Sequence, residues 1–287
     1  DLWALLATDL ATLVLSFLVL YLWRPVWRPR LSWKPSIVRY YLGFGSKVFW
    51  ASVLSQALDK VDDLWTGVFL GNTAMGYYSR AYVFATYPRV VLAAPVDSVA
   101  GGTYAELKGK PRQLSQAFFR VNALLVRSGF LFAGLLWLVA PEFIRLLLGA
   151  KWMPMMEAFR LMLLFTLFDP LKSTVAAVLV AVGRPERVVR ARLVQLTILV
   201  LGLVLLGPTL SISGVALAVD LMLAVGITML YWEVRAHVQF SVRRLFLVAA
   251  FALVVGLALG RGSMELPVAL ESDWLTGLVK GTVFSFT

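Results

Sequence analysis

The segment with the most chemical information is SVLSQALDKVDDLWTGVFLG, residues 52–71, which is long enough to cross a bilayer. It carries four ionisable side chains: Asp59, Lys60, Asp62 and Asp63. An ionisable side chain at the centre of a bilayer costs roughly 2.5 to 3.5 kcal/mol on insertion scales. Four such side chains facing lipid would be prohibitive, so we expect them to face water or to pair inside a helix bundle.

Helical spacing gathers most of these polar residues on one side of the segment. At about 100° per residue, one stripe holds Ser52, Gln56, Asp59, Lys60, Asp63 and Gly67. Two interpretations remain open: a self-neutralising ion-pair cluster that fixes helix packing, or the wall of a water-filled cavity. We favour the cavity because Asp62 leaves net negative charge unpaired. Gln56 and Lys60 would then face a substrate, and Asp59 and Asp63 are candidates for ion coupling or gating.

The next two apolar stretches carry stripes that match this one. Tyr78, Tyr82 and Arg89 share one face of the first stretch. The second carries polar residues at helical spacing: Gln113, Gln116, Arg120 and Arg127. Guanidinium groups bind phosphate or carboxylate through two parallel hydrogen bonds. A cavity lined by these arginines and tyrosines would therefore suit an anionic glycan or a lipid diphosphate.

Other polar residues and prolines interrupt the later apolar stretches. Asp169 and Lys172 flank Pro170, which favours an intrahelical pair at a proline kink. Asp220 stands alone within GVALAVDLMLAV, so it is protonated, paired with an arginine, or a cation site, and we count it among the coupling candidates. Pro88 and Pro95 are expected to bend the helix that holds Arg89.

The composition is that of a membrane protein. Hydrophobic residues make up 60% of the chain, charged residues 15%, and the mean hydropathy is +0.81, whereas a soluble domain carries about 25% charged residues. The absence of cysteine and the single histidine, His237, argue against thiol chemistry and His/Cys metal sites. No catalytic Ser/His/Asp set or phosphate-cradling glycine loop is present either, so we predict neither an enzyme nor a cofactor.

Apolar stretches of bilayer length predict an all-α integral membrane protein with about eight to nine transmembrane helices. The stretches are residues 2–23, 38–70, 73–99, 113–138, 157–182, 188–206, 214–232 and 245–259, and a ninth begins at Trp274. Alternate connections, with the starts of the stretches that follow them, hold most of the basic residues: Arg24, Arg28, Arg30, Lys34, Lys108, Lys110, Arg112, Arg184, Arg187, Arg190, Arg192, Arg235, Arg243 and Arg244. The other connections hold few, Lys151 and Arg261 among them. This bias predicts that the basic connections are cytoplasmic, so the net charge of +11 reflects topology rather than nucleic-acid binding.

The string DKVDDLWTGVFLGNTAMGYYSRAYVFATYP resembles the lipid-linked oligosaccharide flippases of the multidrug/oligosaccharidyl-lipid/polysaccharide superfamily. LLLGAKWMP is also similar, as is AVGRPERV followed by GPTLSISGVALA. The resemblance implies a MATE-like flippase fold of two six-helix lobes around a central cavity. Residues 1–36 would then be the last helix of the first lobe and a basic linker, 37–236 the second lobe, and 237–287 extra C-terminal helices. The chain is therefore expected to be a fragment of a longer protein.

The same resemblance implies the function. Such proteins move undecaprenyl-diphosphate-linked oligosaccharide across the bacterial inner membrane by ion-coupled alternating access, for polysaccharide biosynthesis and export. The implied partners are the lipid-linked oligosaccharide and membrane lipid; Na⁺ or H⁺ and a glycan polymerase or glycosyltransferases are further candidates. A multidrug or cation antiporter using Asp59, Asp63 or Asp220 is the alternative, and the arginines argue against it because they would repel a cationic substrate.

Overall fold

The computed structural model describes residues 2–20 and 34–262, and all regular structure within those ranges is helical. The helices are α1 (Leu2–Leu18), α2 (Pro35–Leu58), α3 (Val61–Trp65), α4 (Gly71–Pro88), α5 (Ala94–Glu106), α6 (Pro111–Leu147), α7 (Met156–Ala181), α8 (Pro185–Val234) and α9 (Val242–Gly262). Short π-helices at Thr66–Leu70 and Arg89–Ala93 and a 3₁₀ helix at Ala150–Met155 join some of them. Arg24, Arg28, Arg30 and the stretch from Trp274 lie outside the described residues.

The chain divides into two compact units, Asp1–Gly43 and Phe44–Thr287, and the boundary falls within α2. The first unit includes α1, an apolar helix of 17 residues. The second holds three helical segments that are long and apolar enough to cross a membrane: Pro111–Leu147, Ala150–Ala181 and Pro185–Val234. The expected membrane class is therefore confirmed, whereas the count of eight to nine spans and the three-part domain division stay predictions.

The longest helix, α8, is a hairpin rather than a straight rod. Its backbone leaves the helical region at Ser211, where φ is 54° and ψ is −137°. Arg187 in the first arm forms an ion pair with Glu233 in the second. Closer to the turn, Nε2 of Gln195 lies 3.5 Å from the sulfur of Met222. The two arms therefore run antiparallel, which confirms the prediction of two separate apolar stretches at 188–206 and 214–232.

The connections rich in basic residues meet at one end of the second unit. Lys47 on α2 pairs with Glu186 in the first turn of α8, with an N–O distance of 3.6 Å. Glu186 also pairs with Arg184 at 3.6 Å. Its own backbone amide, and then the charges of Lys47 and Arg184, hold the pKa of Glu186 below its usual range. The carboxylate is therefore ionised near neutral pH and can join α2 to α8 at this basic end.

Two further contacts define the basic end. The side chain of Lys108, just after α5, reaches Gly183, just after α7. Its Nζ would be 3.6 Å from a Cβ built on this glycine. The backbone amide of Gln239, just before α9, donates to the hydroxyl of Ser115 in the first turns of α6, at 3.0 Å. The connections that follow α5, α7 and α8 therefore lie together, as the alternation of basic loops requires.

Replacing Gly214 by alanine is expected to destabilise the α8 hairpin. The new methyl group would lie 2.1 Å from the backbone carbonyl oxygen of Leu206, and backbone atoms cannot move aside cheaply. We expect Gly214→Ala to lower the free energy of unfolding by about 1 to 3 kcal/mol, as overpacking typically does. Thermal unfolding in detergent measures it. Gly102→Ala is the control, because nothing lies within 4 Å of its added Cβ. Equal losses in the two variants would contradict the hairpin geometry.

Candidate functional site

The charged segment is a broken helix. α2 ends at Leu58, Lys60 leaves the helical region with φ −128° and ψ −22°, and α3 begins at Val61. Two aspartates occupy the first turn of α3, where the helix dipole favours negative charge. Because successive aspartates are poor in a helix interior and good near a helix start, the chain breaks here. The expectation of one continuous helix across residues 52–71 was wrong.

The break lies well inside the bundle, away from the basic end. Lys47, midway along α2, lies at the level of the basic end through its pair with Glu186, and α2 runs 11 residues further to Leu58, a rise of about 16 Å at 1.5 Å per residue. The π-helix Thr66–Leu70 follows directly. Interrupted helices and π-helical turns at membrane depth are common where transporters place binding groups. The broken segment is therefore a candidate for a functional element.

Asp62 is the buried carboxylate of the segment. Its side chain is 3% exposed, and one carboxylate oxygen accepts a hydrogen bond of 2.5 Å from the hydroxyl of Tyr78 on α4. The other oxygen, Oδ1, is buried without a hydrogen-bond partner among the described residues. The hydroxyl of Thr66 donates to the backbone carbonyl of Asp62 at 2.7 Å. A continuous helix would leave Asp62 at the edge of the polar stripe, whereas in the structure its side chain is buried in the core.

The remaining charges of the segment lie nearer the surface of the unit. Lys60 pairs with Asp63 at 3.7 Å, and their side chains are 68% and 25% exposed. Gln56 is exposed and Asp59 is half-buried. One ion pair of the neutralising cluster therefore forms, and the exposed side of the segment remains open to a cavity or a packing partner.

The predicted stripe of tyrosines and arginine on α4 is interrupted. Tyr78 is fully buried against Asp62, whereas Tyr82 is half-buried. α4 ends at Pro88, and Arg89 opens the π-helix that follows, so the α-helix is interrupted at this proline, and the expected bend stays a prediction. The side chain of Arg89 lies outside the described part of the structure.

The polar residues of α6 lie on its exposed side. Gln116, Arg120 and Arg127 are all exposed. Arg127 lines a groove of about 480 Å³ between α6 and α9, together with Phe130 and residues including Leu253. Within the described helices, Arg127 is thus grouped with α9 rather than with Lys60 or Tyr78. Whether these residues share one substrate cavity stays a prediction.

Two polar contacts of α7 pair buried or half-buried side chains inside the second unit. Asp169 and Lys172 form an ion pair within α7, with an N–O distance of 2.9 Å. Both residues are buried, with exposed fractions of 2% and 5%. The predicted intrahelical pair beside Pro170 is therefore confirmed. The hydroxyl of Ser173 donates to Asp97 on α5 at 2.5 Å. These contacts satisfy charges that would otherwise be very costly in an apolar bundle.

One polar junction was missed from the sequence. The side-chain oxygen of Asn122 on α6 accepts hydrogen bonds from Thr174 on α7 at 3.0 Å and from Tyr231 on α8 at 3.2 Å. The Asn122 amide donates to the carbonyl of Phe118 at 2.9 Å. The sequence feature that could have predicted this junction is the single asparagine in the apolar stretch FFRVNALLV, because buried polar side chains form hydrogen bonds between membrane helices.

Asp220 lies on the second arm of α8 and is half-buried. Both of its carboxylate oxygens are buried without a hydrogen-bond partner among the described residues. Of the three alternatives from the sequence, pairing with an arginine is therefore not observed in residues 34–262. No group of three potential metal-binding side chains occurs among the described residues.

Arg192 was misassigned from the sequence. We counted it among the basic residues of a loop, but it lies inside α8, two turns after Pro185, and is only 5% exposed. It lines a cavity of about 680 Å³ between α2, α5, α7 and α8. Charge counting missed it because a helix can begin directly after a Gly-Arg-Pro turn.

Helices long and apolar enough to cross a membrane, with a buried ion pair within one of them, define a polytopic membrane protein. A family model described as polysaccharide biosynthesis protein matches residues 1–157. The match covers more than half of the 287 residues, and the chain belongs to that family.

Curated relatives have related names. The chain is 24% identical to the teichuronic acid biosynthesis protein TuaB of Bacillus subtilis, over 57% of the chain. It is 25% identical to the amylovoran biosynthesis protein AmsL of Erwinia amylovora, over 55% of the chain. It is 22% identical to the lipopolysaccharide biosynthesis protein WzxC of Escherichia coli, over 58% of the chain. These matches cover 34%, 41% and 34% of the relatives, so the chain spans well under half of each.

The fold is that of a flippase structure. The lipid II flippase MurJ in its inward closed conformation superposes with a TM-score of 0.69 at 15% identity, over 91% of this chain and 56% of that one. The family and this fold confirm the expected resemblance, and they agree with a membrane protein.

Removing the hydroxyl that binds Asp62 is expected to destabilise the second unit. Tyr78→Phe removes the side-chain donor of a buried carboxylate, which costs about 1 to 3 kcal/mol. Thermal unfolding in detergent measures the loss. Tyr87→Phe is the control, because Tyr87 is 51% exposed and should change stability by under about 0.5 kcal/mol. A Tyr78→Phe protein as stable as the control would exclude a structural role for this hydrogen bond.

Proposed function

We propose that the protein to which this chain belongs flips a lipid-linked oligosaccharide, an undecaprenyl-diphosphate glycan, from the cytoplasmic to the outer leaflet for polysaccharide export. The observation that carries the proposal is the MurJ flippase fold across 91% of the chain, in a member of the polysaccharide biosynthesis family. The names of TuaB, AmsL and WzxC support a polysaccharide as the product of the pathway.

The proposed orientation puts the basic end of the second unit in the cytoplasm. Lys47, Lys108 and Arg184 lie at this end, and positive residues are retained on the cytoplasmic side of bacterial inner membranes. A cargo lipid with a diphosphate headgroup would then approach from the side with the most positive charge. A glycan polymerase or glycosyltransferases would be neighbours in the same pathway.

The proposed cargo contacts are the residues of the three polar stripes: Gln56, Lys60, Tyr78, Tyr82, Arg89, Gln116, Arg120 and Arg127. Support comes from the exposure of Gln56, Lys60, Arg120 and Arg127 on a unit that is otherwise apolar at membrane depth. Exposed arginines at that depth are expensive in lipid, and an anionic cargo in a hydrated cavity would offset the cost. Tyr78 would contribute indirectly, because its hydroxyl holds Asp62.

Charge-neutral replacement of the cargo arginines is expected to abolish export. In the full-length protein, Arg89→Gln and Arg127→Gln should each reduce surface polysaccharide by tenfold or more if one bidentate phosphate contact worth about 1.5 to 3 kcal/mol is lost. Immunoblots of membranes check that each variant is present in normal amounts.

Arg190→Gln is the matched control, because Arg190 is exposed near the basic end and loses the same charge. Normal export by both cargo variants would refute an anionic cargo held by these arginines. Loss of dye efflux with intact export would favour a multidrug or cation antiporter instead.

We also propose that transport is coupled to a Na⁺ or H⁺ gradient through the acidic residues of the broken helix and Asp220. Asp59 and Asp63 flank the break, and the structure adds Asp62, which has one buried carboxylate oxygen without a partner. Asp220 has two such oxygens. A buried carboxylate with spare lone pairs can take a proton or a cation, and an interrupted helix can change shape when it does.

Coupling is tested by flipping of a lipid-linked glycan in proteoliposomes with and without a Na⁺ or proton gradient. We expect wild-type flipping to accelerate under one of the two gradients and the Asp62→Asn and Asp220→Asn variants to lose that acceleration, because a neutral amide neither binds a proton nor attracts a cation. Asp9→Asn, at an exposed position on α1, is the control. Identical rates with and without both gradients would remove the coupling proposal while leaving the flippase proposal in place.

A further inference from the structure

The cavity beside Arg192 lies in the half of the second unit nearest the basic end. It has a volume of about 680 Å³, within the usual range for ligand pockets. Much of its wall consists of small residues: Ala51, Gly101, Ala105, Ala176, Ala177 and Ala181. Larger side chains at these positions would fill the space, so the small residues on α2, α5 and α7 keep the cavity open.

Arg192 is the one charged side chain among the described residues that line this cavity, so the charge of the lining is positive. The lining includes the hydroxyls of Ser52, Ser55 and Ser173 and the guanidinium of Arg192, and no acidic residue is among the described residues that line it. The hydroxyl of Ser173 donates a hydrogen bond to Asp97, which is not among the described lining residues. A cationic group with hydroxyls in a confined space favours an anion with several oxygen atoms.

Arg192 lies too deep to reach the cytoplasm easily. It is six positions beyond Glu186 in α8, a rise of about 9 Å from the basic end, and it is 5% exposed. One guanidinium nitrogen, Nη1, donates to the side-chain oxygen of Gln195 at 3.3 Å. Arginine stays protonated in proteins and has five N–H donors in a fixed fork. Gln195 orients that fork at the cavity wall.

We infer that this cavity binds a phosphate or diphosphate group, with Arg192 as its charged anchor and Ser55 as a neighbouring hydroxyl. The inference rests on the proposed flippase function, for which it names an entry-side subsite distinct from the Arg89 and Arg127 stripes. Two sources offer this chemistry: the headgroup of a lipid-linked glycan, or free diphosphate from the cytoplasm. A guanidinium binds either through the same bidentate hydrogen bonds.

Cysteine accessibility tests the electrostatics of the cavity. The 287 residues contain no cysteine, so Ser55→Cys can be the single reactive thiol in a full-length background without other cysteines. Its labelling rates with an anionic and a cationic methanethiosulfonate are compared in lipid nanodiscs. We expect Arg192→Gln to lower the anionic-to-cationic rate ratio by about tenfold, because one nearby positive charge is lost. The ratio cancels any change in the pKa of the thiol, since both reagents attack through the same thiolate.

Protection by ligands tests binding. Inorganic diphosphate and farnesyl diphosphate, a short lipid diphosphate, are added before labelling. We expect at least one of them to slow labelling of Ser55→Cys about fivefold or more, Arg192→Gln to remove that protection, and Arg192→Lys to restore it partly. Protection by both ligands means that the headgroup suffices, whereas protection by farnesyl diphosphate alone assigns the site to the lipid-linked cargo.

Arg190→Gln is the matched control for both measurements, because it removes the same charge from an exposed position on the same helix. Three outcomes would each overturn the inference. Neither ligand slows labelling of Ser55→Cys, or Arg192→Gln leaves the protection as large as it is with Arg192 present, or Arg192→Gln leaves the anionic-to-cationic rate ratio unchanged. Export assays keep the two proposals apart. Normal export with failed protection withdraws only the subsite, whereas protection in a protein that does not flip glycans leaves the anion site and withdraws the flippase.

Discussion

The cost of holding charge away from water governs this structure. The chain is 60% hydrophobic, and its second unit packs membrane-length helices together, so each ionisable group inside it needs a partner or a cavity. Asp169 forms an ion pair with Lys172 within one helix, and Asp62 accepts a hydrogen bond from the hydroxyl of Tyr78 on another helix. Arg192 lies on a cavity wall. The positions of buried charge therefore identify where helices are tied together and where the bundle leaves space.

Interruptions of the helices occur beside these groups. The break at Lys60 lies next to Asp62, and the π-helix that opens at Arg89 follows Pro88. α8 reverses at Ser211, so its two arms form a hairpin. Each interruption frees backbone groups or redirects a side chain, and such elements are the ones able to adopt two shapes in a transporter. The flippase-like fold thus joins rigid, tightly paired helices to a few positions at which they can bend.

Two separate lines of reasoning support a glycan lipid as cargo. The fold and the family point to flipping in polysaccharide biosynthesis and do not depend on any single residue. The chemistry of exposed and cavity-lining arginines points to an anion, and it does not depend on the relatives. The acidic residues near Lys60 do not suit the same cargo, because carboxylates repel a diphosphate. We propose them for coupling instead, in which a small cation or a proton would change the charge of the interrupted segment.

The sequence by itself determined the membrane class, the interruption of the helix at Pro88, the two arms of α8 and the pair formed by Asp169 with Lys172. These features depend on composition or on neighbours within one helix, which hydropathy, helical spacing and proline chemistry describe. Only the tertiary structure decided that Asp62 is buried, that Arg127 groups with α9 and that Arg192 lines a cavity. Helical spacing gives the angle of each side chain around one helix axis. At a break such as Lys60 the axis changes, so angles counted from the preceding helix no longer apply to the residues after it. Helical spacing cannot say which neighbouring helix a face meets, because that choice is made by packing between segments far apart in the chain.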